Sequence, residues 1–154
     1  MSGKKVAYVT LGTPASGKTT WANKMMHRHG LVNINLDDCR WIVCGDSFNQ
    51  EATAAAVELH TRMIDTALAA GNNFVVSDTN LNWQFLQPLM SKIEVAGFDV
   101  VLVVFDTDFQ VCLERNMLRD NTIPFKAMTR MDGMFQTMKQ MLTQMDVEIW
   151  NVRN

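Results

Sequence analysis

Val6-Ala7-Tyr8-Val9-Thr10-Leu11-Gly12-Thr13-Pro14-Ala15-Ser16-Gly17-Lys18-Thr19 joins a short apolar, β-branched run to a glycine-framed turn. Val6 to Leu11 follows the charged pair Lys4-Lys5 and reads as a buried strand. Gly12 to Thr19 fits G-x-x-x-x-G-K-[ST] at every fixed position. With a strand before it and a helix after it, that pattern is a phosphate-binding loop. Glycine lets the backbone wrap so that amide N–H groups point at phosphate oxygens. The helix that follows turns its N-terminal dipole toward the same anion. The candidate nucleotide-binding residues are therefore Gly12, Thr13, Pro14, Ala15, Ser16, Gly17, Lys18, Thr19 and Thr20. Lys18 can reach the β- and γ-phosphates, and the Thr19 hydroxyl can sit on Mg²⁺.

Outward from that loop, strands alternate with helices. A helix is expected from about Lys18 to His29, stopped by Gly30, and a second strand over Leu31 to Leu36. Asp37 to Cys44 reads as a short helix. Ser47 or Asn49 can cap the next one, over Gln50 to Ala70, with Gly71 as its stop. Phe74 to Ser77 is a third strand. The stripe Leu86, Leu89, Met90 and Ile93 marks a helix ending at Gly97, kinked by Pro88 or starting close to it. Phe98 to Phe105 is the clearest buried strand, followed by a helix over about Phe109 to Leu118, a polar turn over Arg119 to Pro124, and a last helix over Phe125 to Trp150. The alternation predicts an α/β fold: one domain, residues 1–154, with a parallel sheet and helices on both faces.

Composition limits the function classes. The chain has 154 residues, 47% hydrophobic and 19% charged, which excludes a disordered chain. A chain of this size buries about 69% of its unfolded surface, enough for a core without disulfides. The net charge of −2 excludes a uniformly basic coat, so nucleic-acid binding requires a local patch. No apolar run is long enough to span a bilayer, and no signal peptide is read. Cys39, Cys44 and Cys112 form no CxxC pair and fit reduced thiols in the cytoplasm.

Two carboxylates close predicted strands where an open α/β sheet places its ligands: Asp78, a candidate magnesium ligand, and Asp106. If a helix starts at Asp37, then Asp37 and Arg40 share a face; that suits an acceptor hydroxyl and a phosphate, and equally a capping Asp with its salt-bridge partner. Arg115 and Arg119, four apart, can neutralise charge on a transferring phosphoryl group or lie on a solvated face. Met128, Met131, Met134, Met138, Met141 and Met145 make a near-heptad stripe, either packed on the sheet or a homo-oligomer seam. His27, His29 and His60 read as structural or solvated, and Trp21, Trp41, Trp83 and Trp150 as core, although Trp41 adjoins the Asp37–Arg40 cluster and could stack on a base.

Five segments together resemble the kinase domain of the phage polynucleotide 5′-hydroxyl kinase family. They are Gly12 to Trp21, Asn33 to Arg40 (NINLDDCR), Ser77 to Asn82 (SDTNLN), Val104-Phe105-Asp106 and Glu114-Arg115-Asn116. The resemblance implies a P-loop kinase with a helical lid, ATP and Mg²⁺ on one side and a nucleic-acid hydroxyl on the other. It implies Asp37 as general base, Arg40 on the acceptor-side phosphate, and Arg115 as the lid arginine, with Arg119 beside it. Asp78 and Asn80 would line the acceptor side. No DxDGT-type phosphatase signature is present, since Met131-Asp132-Gly133 lacks the first Asp. The segment between Arg40 and Phe74 departs from the family pattern. This leaves a second acceptor open, the hydroxymethyl group of 5-hydroxymethyluracil in phage DNA modification. A small-molecule nucleoside kinase and a non-enzymatic NTP-binding module are the remaining alternatives.

Overall fold

The computed structural model describes residues 3–153. Five strands form one sheet: β1 (Val6–Leu11), β2 (Val32–Ile34), β3 (Phe74–Val76), β4 (Asp99–Phe105) and β5 (Glu148–Val152). Their order is β2-β3-β1-β4-β5, and every pair is parallel. Six helices connect them: α1 (Lys18–His29), α2 (Leu36–Cys44), α3 (Thr53–Ala70), α4 (Trp83–Val95), α5 (Phe109–Met117) and α6 (Phe125–Leu142).

The central strands are apolar on both faces because both are covered. From β1, Ala7, Val9 and Leu11 join a core with Leu102 and Val104 of β4 and with Ile64, Leu86, Ile93 and Phe135 from α3, α4 and α6. The alternate residues Val6 and Tyr8 pack with Val101, Val103 and Phe105 on the opposite face, against Trp21 of α1. Met128 and Met138 are buried, and Met131, Met134, Met141 and Met145 pack against the larger core. Filling that core is thus the use the structure shows for the methionine stripe.

Boundaries differ from expectation in instructive places. The last helix stops at Leu142, not Trp150, and Glu148 to Val152 is an edge strand. The methionine spacing carries a helical pattern as far as Met145, while an edge strand that is half exposed offers no apolar run to contradict it. Trp150 is consequently exposed at the sheet edge, its ring 5.3 Å from that of Tyr8, and is not a core residue. Trp41 is also exposed, not core. The second strand is only Val32–Ile34, because the Asn35 side chain caps α2 by accepting from Asp38 N–H, so the helix begins at Leu36. A short 3₁₀ turn, Gln50–Ala52, capped by Asn49, precedes α3, which starts at Thr53. Asn82 caps α4, which leaves Pro88 inside the helix.

Candidate active site

The sheet reverses its winding at β1, whose neighbours are β3 and β4. A crevice at the carboxyl ends of strands belongs at such a switch point, and the loop Gly12 to Gly17 leaves β1 there. Gly12 is required sterically: a Cβ would lie 2.6 Å from Ser16 Oγ and 3.1 Å from Phe105 Cβ. Gly17, at φ 110, sits at the N-terminus of α1, and Ala15 also has positive φ, 65. Strain at a non-glycine residue is tolerated where surrounding bonds over-determine the loop. Those bonds run from Thr107 Oγ1 to Ser16 O (2.7 Å) and from Arg115 Nη1 to Ala15 O (3.3 Å).

Lys18 is buried and curls back into the loop, where its ammonium donates to Gly12 O (3.0 Å), Thr13 O (2.8 Å) and Ser16 Oγ (3.3 Å). Burial lowers its pKa from 10.5 to about 8; the Arg119 charge pushes the same way, against Cys112, Asp78 and Asp37. The ammonium is thus held by carbonyl dipoles, a weaker partner than the phosphate oxygens this loop is shaped to receive. Thr19 and Thr20 stand exposed in the first turn of α1.

The acceptor-side candidates form one bonded assembly. Asn33 Oδ1 accepts from Ser77 Oγ (2.6 Å), and Asn35 Nδ2 donates to Asp38 Oδ2 (2.9 Å). Asp78 Oδ1 accepts the Leu36 N–H at 2.7 Å, fixing the first residue of α2. The second and third strand ends, NINLDDCR and SDTNLN, are therefore tied together by their own polar side chains. On α2, Arg40 Nη1 meets Asp37 Oδ1 at 3.0 Å, as their spacing predicts. The Arg40 side chain is 12% exposed, and its Nε is buried without a hydrogen-bond partner among the described residues. A buried donor without a partner is costly, and its chemistry fits an incoming anionic oxygen. The Asp37 carboxyl is pushed above its ordinary pKa, first by the desolvating walls around it, with Arg40 opposing and Asp78 adding to the rise. It still presents 60% of its side chain to solvent, so a substrate hydroxyl can reach it.

Other candidates take more specific positions than the sequence assigned. Asn80 Nδ2 donates to Thr10 O (2.7 Å) and Asp78 O (3.2 Å), bracing β1 against β3. Asp106 is paired with Lys139 of α6 at 2.8 Å. Both Asp78 oxygens are engaged, because His60 Nε2 lies 2.6 Å from Oδ2. Of the two readings, structural or solvated, His60 takes the structural one, held against Asp78. The signal was present: His60 lies four residues from both Ala56 and Ile64, so it shares the buried face of α3. Arg115 is fastened to the phosphate-loop backbone, whereas the Arg119 charge acts on both Lys18 and Asp37.

A strand, glycine-framed loop and helix around a buried lysine, at the switch point of a 2-3-1-4-5 parallel sheet, define a P-loop α/β domain with a kinase-like fold. More particularly, residues 8–145 match the family described as AAA domain (AAA_33), and the chain belongs to it. The chain is 26% identical, over 143 residues, to a protein of Autographa californica nuclear polyhedrosis virus described as a bifunctional polynucleotide kinase/RNA ligase. That match covers 81% of this chain and 20% of the viral one. Among solved structures, a chain of the Pnkp1/Rnl/Hen1 RNA repair complex superposes with a TM-score of 0.78 at 22% identity, covering 96% of this chain and 48% of that one. Shikimate kinase from Bacteroides thetaiotaomicron has the same fold at a TM-score of 0.60 and 15% identity, over 95% and 86% of the two chains. The chain thus spans a fifth of the viral relative and about half of the repair-complex chain. No helix among the described residues is long and apolar enough to cross a membrane.

Proposed function

We propose that the protein is an ATP-dependent kinase that moves the γ-phosphoryl group to a hydroxyl of nucleic acid, the 5′-OH end of DNA or RNA. The observation that carries this reading is the Asp37–Arg40 pair in the first turns of α2, with Asp37 close enough for its charge to act on Lys18. A module that only binds NTP has no need of an acceptor base, and the unpartnered Arg40 Nε gives the acceptor side an anion contact. The likeness to a viral protein named as a polynucleotide kinase/RNA ligase supports the same choice.

In this mechanism the loop amides and Lys18 hold the β- and γ-phosphates, with Lys18 exchanging its carbonyl partners for phosphate oxygens. Thr19, exposed in the first turn of α1, is the residue that would hold a Mg²⁺ brought in by the nucleotide, and the ion would neutralise charge on the phosphates. Among the described residues no group of three or more His, Cys, Asp or Glu forms a metal cage. Magnesium typically retains waters and leans on substrate phosphates. Both Asp78 oxygens are engaged within the protein, so its part is to fix the start of α2, and Asp78 would join in holding a metal only by giving up one of those partners. Asp37 orients the attacking hydroxyl and takes its proton. Arg119 meets the charge on the phosphoryl group in flight, and Arg115 keeps the loop in shape.

The test is transfer from γ-labelled ATP to three acceptors in parallel: a 5′-OH oligonucleotide, a duplex containing 5-hydroxymethyluracil, and free nucleosides. Label on the 5′ end of the first is expected. Label confined to the modified base would establish the base-hydroxyl kinase instead, and label only on nucleosides a small-molecule kinase.

A further inference from the structure

We propose that Trp41 is the stacking platform for the nucleobase of the acceptor nucleotide, a role that rests on the nucleic-acid kinase reading. α2 runs from Leu36 to Cys44, so Asp37 and Trp41 are i,i+4 neighbours on one face, their Cβ atoms about 6 Å apart. Helical side chains lean toward the N-terminus, which carries the indole back toward the Asp37 carboxyl. Both side chains are open: Trp41 is 61% exposed and the Asp37 side chain 60%. Among the described residues the ring contacts involve Tyr8, Trp21, Phe74, Phe98, Phe105 and Trp150, and none involves Trp41. Ile42, Val43 and Phe48 follow it in the chain and are also exposed. An apolar surface of this kind beside charged groups marks a binding face.

Chemistry selects the occupant. A hydroxyl presented to Asp37 by a nucleotide brings with it one base and one neighbouring phosphate. Arg40, adjacent to Trp41, has the buried unpartnered Nε for the phosphate, and Trp41 offers the flat apolar face for the base. Hydroxyl, phosphate and base thus meet three residues of a single helix turn. Every base has a π-face, so such a platform grips the acceptor end without reading its sequence. A sugar or small acid lacking a base makes no use of it.

The experiment first confirms transfer to a single-stranded 5′-OH oligonucleotide by the wild-type protein. No transfer would overturn the kinase reading and this inference with it. Dissociation constants are then measured by anisotropy of 3′-labelled oligonucleotides, one intact and one with an abasic 5′-terminal nucleotide. Stacking is lost with about a 5- to 150-fold weakening per base. The abasic strand should bind the wild-type protein that much more weakly. Trp41→Ala should bind the intact strand as weakly as the wild type binds the abasic one and should show no further loss on the abasic strand. Trp41→Phe should recover most of the affinity. Equal affinity for intact and abasic strands, a comparison that needs no variant, would overturn the proposal. So would a Trp41→Ala protein that binds both strands as the wild type does but changes its own sedimentation, which would make the patch a protein contact.

Discussion

The buried Lys18 ammonium makes the stability of the free protein depend on pH in a direction opposite to that of a salt-bridged lysine. Its pKa falls from 10.5 in the unfolded chain to about 8 in the fold, mainly through burial. Below about pH 8 both states hold the proton, and the fold bears the full cost of the buried charge. Between about 8 and 10.5 the unfolded chain keeps the proton while the fold releases it, so stability rises with pH across that window. Integrating the two titrations from about pH 7.5 to about pH 10 gives a gain of about 2 kcal/mol attributable to this side chain. Other groups titrate in the same range, so the comparison is with Lys18→Met. Urea denaturation of both proteins at the two pH values should show the wild type gaining about 2 kcal/mol relative to the variant. Saturating ATP should remove the gain, because phosphate oxygens hold the ammonium charged. A relative change near zero, or a loss, would refute the burial of Lys18 among the loop carbonyls.

The arginines and His60 separate in the same way. Arg119→Ala should lower kcat about 10²–10³-fold with modest change in ATP affinity, since its charge acts on both sides of the cleft. Arg115→Ala should act chiefly on ATP binding, because its bond is to the Ala15 carbonyl; steady-state kinetics that reversed this order would place the lid role on Arg115. His60→Ala should raise the acceptor KM several-fold more than it lowers kcat, because it releases one oxygen of the Asp78 that fixes the start of α2. His60→Gln, which retains a donor, should restore much of the loss, and failure of that rescue would leave His60 as mere packing.

The phosphate loop was legible because its chemistry fixes both letters and spacing: Gly12, Gly17 and Lys18 each answer a local steric or charge demand that follows from the strand and helix beside them. The α/β alternation was legible because both sheet faces are covered, which writes Val100 to Val104 as an unbroken apolar run. β5 was not legible. It lies at the sheet edge, pairs only with β4, and follows a helix whose methionine period continues toward it. The Asp37–Arg40 contact follows from helical spacing alone. The contacts of Asp78 and Asn80 do not, since they depend on how β3 meets α2, α3 and the end of β1. Spacing likewise could not show that Arg115 bonds the Ala15 carbonyl, because that contact depends on how α5 meets the phosphate loop.

Asp37→Asn tests the central claim most directly. The amide keeps the shape of the carboxylate and a contact to Arg40 but cannot take a proton. In single-turnover transfer from γ-labelled ATP to a 5′-OH oligonucleotide, the variant should be slower by about 10²–10⁴-fold, with ATP affinity close to that of the wild type. The wild-type rate should fall as pH drops through the Asp37 titration, which desolvation raises from its ordinary value, and the variant should lack that limb. An Asp37→Asn protein that transfers phosphate at the wild-type rate, with the same pH profile, would contradict the account.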